Sequence, residues 1–301
     1  MRKLLLGTTA LAAAASLSTN VALADVSVSG YHEWSYSSVG SDVAANDGTS
    51  FGQDSEVKFS FTNKTDSGLT VGFVTEYEAD KASAGVSDDS YMTISGGFGK
   101  LVLGELDGAT DAYGVAATDL PAEEMYLGEP ADMVTENSDG ASAGGESNKV
   151  SYHIPAVGGL TAGVSFTNSG AAGDADATEY GLKYSMDAGG AAVTIGASTG
   201  TKDVAGAQDQ DHQVIGVSIK SGAMTVNLSQ ATYEDADQNE ETNGAAAKFA
   251  LGNGMTLVGY TTKLEDDFST SGEEYTVSGI ELQYTIASGL TAYVDVEDYD
   301  Y

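Results

Sequence analysis

The chain has 301 residues, no cysteine, and 45 acidic against 12 basic side chains, for a net charge of −33. That balance excludes a nucleic-acid partner, whose phosphates require cationic neutralisation, and the missing cysteines exclude a disulfide framework or a thiolate metal site. Sixteen tyrosines, eight phenylalanines and 41% hydrophobic residues are too many for a disordered acidic tail, so the charge must decorate a folded scaffold.

At the N-terminus, Arg2 and Lys3 form a basic region, Leu4 to Leu17 is largely apolar, and Ala22-Leu23-Ala24 supplies an A-x-A cleavage site. This is the pattern of a secretory signal peptide, too short to span a membrane. Residues 1–24 are therefore expected to be removed, leaving residues 25–301 as one domain. Loss of Arg2 and Lys3 moves the net charge from −33 to −35 and leaves lysines but no arginine. No run of eighteen apolar residues follows Ala24, which excludes transmembrane helices.

Beyond the leader, alternation with period two recurs, the signal of a strand with one apolar face. Val26, Val28, Trp34 and Tyr36 alternate with Ser27, Ser29, Glu33 and Ser35; Val57, Phe59 and Phe61 alternate with Glu56, Lys58, Ser60 and Thr62. The pattern returns at Leu69–Phe73, Leu160–Phe166, Tyr180–Tyr184, Val193–Ala197, Ile215–Ile219 and Met224–Leu228. It continues at Phe249–Leu251, Met255–Tyr260, Ile280–Tyr284 and Leu290–Val296. Short Gly-containing turns such as Gly252-Asn253-Gly254 and Ala287-Ser288-Gly289 alternate with longer acidic segments. These are Val39–Gln53, Asp80–Asp88, Asn168–Ala177, Thr199–Asp211, Tyr233–Thr242 and Leu264–Gly272. Short turns at one rim and long loops at the other are expected of a transmembrane β-barrel.

A lipid-facing barrel also demands that charge fall on the polar phase, because a charge at the bilayer midplane costs about 2–4 kcal/mol. Lys58, Lys149, Lys183 and Lys248 all do so, while Lys263 at a strand end is ambiguous. Trp34, Tyr36, Tyr77, Tyr152, Tyr184 and Tyr284 near strand ends are candidates for aromatic girdles. One loop exceeds the rest: from Leu106 to Ser147 alternation disappears, and Pro121 and Pro130 lie within it. It carries Asp107, Asp111, Asp119, Glu123, Glu124, Glu129, Asp132, Glu136, Asp139 and Glu146, without a lysine. Loops of that length in a compact protein are usually functional or disordered.

Three linked motifs resemble a known family. Asn148-Lys149-Val150-Ser151-Tyr152-His153-Ile154-Pro155 resembles the N-x-V-x-Y-x-x-P segment after the long third loop of Gram-negative general porins. Thr65-Asp66-Ser67-Gly68-Leu69-Thr70-Val71-Gly72-Phe73 looks like the first periplasmic hairpin of the alphaproteobacterial, Rhodobacter-type porins. Ile94-Ser95-Gly96-Gly97-Phe98-Gly99-Lys100-Leu101 with Gly104 resembles their second hairpin. The resemblance implies an all-β fold: a homotrimer of 16-stranded antiparallel barrels in the outer membrane, each narrowed by an inward-folded third loop. It also implies a water-filled channel for small hydrophilic solutes and ions, in contact with outer-membrane lipid and lipopolysaccharide. The family's wall arginines are missing here, and Gly144-Gly145-Glu146-Ser147 stands where members place an arginine. Lys58 and Lys149 remain as candidates for the basic side of a pore constriction. Asp107, Asp111, Asp119, Glu123, Glu124, Glu129 and Asp132 are the candidates for its acidic side, and they point to cation selectivity.

Other chemistry is weakly represented. Gly140-Ala141-Ser142-Ala143-Gly144 and Gly196-Ala197-Ser198-Thr199-Gly200 match G-x-S-x-G, but neither opens a helix after a strand as a nucleophile elbow requires. His32, His153 and His212 are scattered, and Asp235–Glu241 lacks the glycine and distal glutamate of a calcium loop. No cofactor is expected beyond weak calcium or magnesium at paired carboxylates such as Asp88-Asp89 and Glu240-Glu241. The rival readings are a barrel enzyme of lipase type and a secreted acidic β-rich adhesin. About fifteen strands can be counted, one short of the even number that antiparallel closure needs. Tyr301 is accordingly expected at the long-loop rim, with a further loop and strand to follow.

Overall fold

The computed structural model describes residues 6–9, 25–40, 48–80, 87–121, 147–168, 176–203, 208–236, 239–266 and 273–300. They form one antiparallel sheet in which every strand pairs with its sequence neighbours. A four-residue strand, β1 (Leu6–Thr9), pairs with β2 (Asp25–Val39), and β3 (Gly48–Lys64) and β4 (Thr70–Glu78) follow. Next come β5 (Ser87–Gly96), β6 (Gly99–Leu106), β7 (Ser147–His153), β8 (Leu160–Thr167), β9 (Ala177–Ala188) and β10 (Ala191–Lys202). The last six are β11 (Gln210–Ser221), β12 (Met224–Glu234), β13 (Asn239–Gly252), β14 (Met255–Asp266), β15 (Glu273–Ala287) and β16 (Leu290–Asp300). Among the described residues no helix is long and apolar enough to cross a membrane, a statement silent on barrels, which cross with strands.

The fifteen strands from β2 onward match the number read from alternation. The turns at one rim are tight: Asn253 (φ 53°) and Gly254 (φ 80°) occupy the left-handed region between β13 and β14, as a two-residue primed hairpin demands. At the other rim the strands climb further than expected. β3 begins at Gly48, β10 runs to Lys202, and only residues 235–238 separate β12 from β13. Alternation ends where the apolar band ends, whereas ladder hydrogen bonds continue through polar residues such as Thr49, Ser50 and Gln53.

The outward phase is apolar. Phe51, Phe61, Phe73, Leu182, Ile215, Leu228, Phe249, Ile280 and Val294 are all exposed. Trp34, Tyr36 and Tyr77 lie outside towards the long-loop rim, and Tyr184 and Tyr284 towards the short-turn rim. Trp34 stacks on Phe51 at 5.3 Å between ring centroids, so Phe51, which alternation alone leaves in a loop, joins the upper girdle. Lys263 falls on the outward phase at the long-loop rim, where it pairs with Glu265 (2.6 Å) and Glu274 (3.0 Å).

The sheet curls until β16 approaches β2. The Tyr293 hydroxyl donates to the Glu33 carboxylate across the gap, and no backbone ladder joins these two strands among the described residues. β2 and β16 run in the same direction, and Asp300, opposite Thr276, sits at the long-loop rim. Tyr301 itself lies outside the described residues.

Candidate functional site

The described start of the long third loop, residues 107–121, turns inward and lies on the concave wall. It contains one short helix, α1 (Ala109–Tyr113), and a 3-10 turn over Ala117–Asp119. α1 has no side-chain cap of its own, since Gly108 precedes it. The wall supplies the missing acceptors. Glu179 on β9, 1% exposed, receives the Thr110 amide (3.2 Å), the Thr110 hydroxyl (3.1 Å) and the Ser165 hydroxyl (3.0 Å). Ser165 Oγ in turn accepts the Ala109 amide at 2.9 Å. A Cβ at Gly108 would sit 1.6 Å from the Glu179 carboxylate, so glycine is the residue that permits this approach. Further along, Ser229 accepts the Ala117 amide (3.0 Å) and the Asn227 amide donates to the Ala116 carbonyl (2.7 Å).

The loop fits because the wall beneath it lacks side chains. Gly163, Gly181, Gly196, Gly216 and Gly244 share the inward phase of β8 to β11 and β13. Register aligns them: Gly163 opposes Gly181, Gly196 opposes Gly216, and Ser229 links Gly216 to Gly244. A Cβ at Gly196 would meet the Tyr113 carbonyl at 2.5 Å, and one at Gly216 the Val115 carbonyl at 1.8 Å. Glycine inside a strand often marks such a close backbone approach, and here five of them form a trench. At its far end Ala117 and Leu120 pack on Ala246, Val258, Tyr260, Leu264 and Val277, an apolar cluster on the inward phase. His153, at the end of β7, meets the Tyr113 hydroxyl at 2.8 Å and holds the other end.

Of the acidic candidates, Asp107 and Asp111 are exposed, and Asp119 is half-buried with its carboxylate accepting the Ala116 amide at 3.2 Å. Glu123, Glu124, Glu129 and Asp132 lie outside the described residues. Water reaches the Asp111 carboxyl, but the surrounding wall excludes bulk solvent at longer range. That desolvation, then Asp107, Asp119 and Glu179 against the opposing pull of Lys183, pushes the carboxyl up to about 7. The basic candidates are engaged: Lys58 pairs with Glu76, and Lys149, 3% exposed, donates to Ser147 Oγ at 3.0 Å. Lys183 and Lys248 also point inward, donating to the loop carbonyls of Ala112 (3.4 Å) and Leu120 (3.2 Å).

The wall on β3–β5 adds more acid. Carboxylate oxygens of Asp54, Glu78 and Asp80 lie within 4.8 Å of one another, as do those of Glu56, Glu76 and Asp88. On β14–β16, Glu297 accepts the hydroxyls of both Tyr260 and Tyr299. The trench, Glu179 and these wall acids were not among the expected site residues. The trench glycines stand in the inward phase of their strands, but pairing register is what brings them together.

Comparison with known proteins agrees with this geometry. A porin structure refined at 1.8 Å resolution matches with a TM-score of 0.66 at 20% identity, covering 92% of this chain and 95% of that one. An anion-selective porin from Comamonas acidovorans gives 0.68 at 18%, covering 92% and 89%. A mutant of the Rh. blastica porin gives 0.63 at 17%, covering 90% and 94%. No curated protein sequence matches. At these identities the structures establish the fold, and the family rests on a sequence model described as Gram-negative porin, which matches residues 7–301. Because that model covers nearly the whole chain, the chain belongs to the Gram-negative porins, channels of the outer membrane rather than enzymes.

Proposed function

We propose that this porin is a cation-selective channel for passive diffusion of small hydrophilic solutes. The observation that carries the reading is the charge balance of the lumen. Asp107 and Asp111 are exposed on the loop. Lys58 is paired with Glu76, and the Lys183 and Lys248 ammonium groups are directed at loop carbonyls. The chain holds no arginine after Arg2. A channel of low dielectric lined by one sign of charge concentrates the opposite ion, and rings of Asp and Glu select cations. Sharing a fold with the anion-selective Comamonas porin does not bear on the sign, which side chains set and backbone does not. Replacing Asp119, Glu123 and Glu124 together by their amides should lower the potassium-to-chloride permeability ratio in a planar bilayer. An unchanged ratio would remove these residues from the selectivity mechanism.

The assembly in this reading is a homotrimer set in outer-membrane lipid and lipopolysaccharide, after removal of residues 1–24. OmpT of Vibrio cholerae, similar at 13% identity with a TM-score of 0.68 over 93% of this chain and 89% of that one, was solved in a trimer form. The leader's basic, apolar and A-x-A segments support export. Mass spectrometry of protein extracted from outer membranes should find Asp25 at the N-terminus.

A further inference from the structure

The described start of loop three, residues 107–121, is gripped at both ends of each of its two short turns by groups of matching polarity. At the first turn of α1 stands the Glu179 carboxylate, and at its last turn the Lys183 ammonium reaches the Ala112 carbonyl. At the start of the 3-10 turn Ser229 accepts the Ala117 amide, and beyond its end the Lys248 ammonium reaches the Leu120 carbonyl. Exposed carbonyls at the end of a helical turn carry partial negative charge and draw cations. Both lysines rise from strands that also supply trench glycines, Gly181 on β9 and Gly244 on β13. The trench shapes the wall to the loop, and the polar side chains around it supply the bonds.

We propose that Lys183 and Lys248 are positioning residues: they latch loop three onto the wall through its backbone carbonyls and so hold the channel at one width. In a lumen otherwise dominated by carboxylates, the inward lysines could instead serve as the basic half of a transverse field. The geometry favours the latch, because each ammonium is directed at the loop backbone. The inference holds whichever ion the channel prefers. Without the latches the loop remains threaded along its trench, held by Glu179, Ser229 and Asn227, and it exchanges between seated and lifted positions. The open channel then flickers.

Single-channel recording of the full-length trimer separates the two roles. In the double variant Lys183→Met, Lys248→Met, brief closures should become about tenfold more frequent, the scale of a population shift on losing charge-assisted bonds. Recorded at about pH 8.5, where Asp111 is ionised in both proteins, the zero-current potential should stay near that of the parent. Lys183→Arg with Lys248→Arg keeps the donors and should restore a quiet trace. Gly216→Ala is a charge-neutral route to the same state, since its Cβ would intrude on the Val115 carbonyl and lift the loop. It should flicker as well. A double methionine variant that moves the zero-current potential towards potassium with a quiet trace would overturn the proposal, as would one with neither change. If that variant does not assemble, the single variants Lys183→Met and Lys248→Met decide the matter: flicker in either supports the latch, and quiet channels in both overturn it.

Discussion

Glu179 and Asp111 show how two carboxylates at the first turn of one short helix take different roles. Glu179 is almost fully buried and satisfied by three donors, so it anchors. Hydrogen bonds to a charged group contribute about 1.5–3 kcal/mol each, and leaving the donors Thr110 and Ser165 unmet adds to the loss. Glu179→Ala should therefore destabilise the barrel by roughly 2–4 kcal/mol, read as a lower midpoint for the heat-dependent gel shift of the folded protein. A midpoint within a degree or so of the parent would contradict the anchoring role. Asp111 keeps its carboxyl in the lumen, where it titrates near 7. Above that value it is ionised and adds to the cation preference; as pH falls through 7 it takes up a proton and the preference weakens. Permeability ratios measured between about pH 8.5 and pH 5.5 should show this step, and Asp111→Asn should flatten it.

At the scale of strands, lipid exposure is the controlling variable. Ile195 faces outward and Thr194 inward on β10. Ile195→Lys should cost about 2–4 kcal/mol and lower refolding yield in lipid bilayers, while Thr194→Lys should stay within about 1 kcal/mol of the parent. Equal penalties would mean that the outer face is not in lipid. This distinction was legible from alternation alone, which placed Lys58, Lys149, Lys183 and Lys248 on the phase that the structure turns inward. The upper ends of the strands were not legible, because Gly48–Gln53 pairs through backbone groups with no apolar pattern to mark it. The trench was hidden for another reason. Each of Gly163, Gly181, Gly196 and Gly216 taken singly is only a weak point in a strand, and pairing register alone sets them side by side. Val258, Leu264 and Val277 run against the rule of polar residues inside, and they do so where Ala117 and Leu120 need an apolar seat.

The whole molecule combines an apolar outer face with a net charge of −33. Such crowding of like charge opposes the compact state. In the two carboxylate triads beside β3–β5, acidic oxygens stand within 4.8 Å of one another. Calcium or magnesium at millimolar level should raise the thermal midpoint of the trimer in native outer-membrane lipid, and chelation should lower it; an unchanged midpoint would mean that the triads are relieved internally, as Lys58 already relieves Glu76. The same charge makes the transport claim testable in one recording. With purified protein in a planar bilayer under a potassium chloride gradient, the zero-current potential should take the sign of potassium permeation. A potential of the opposite sign, with chloride the more permeant ion, would contradict a lumen governed by its carboxylates.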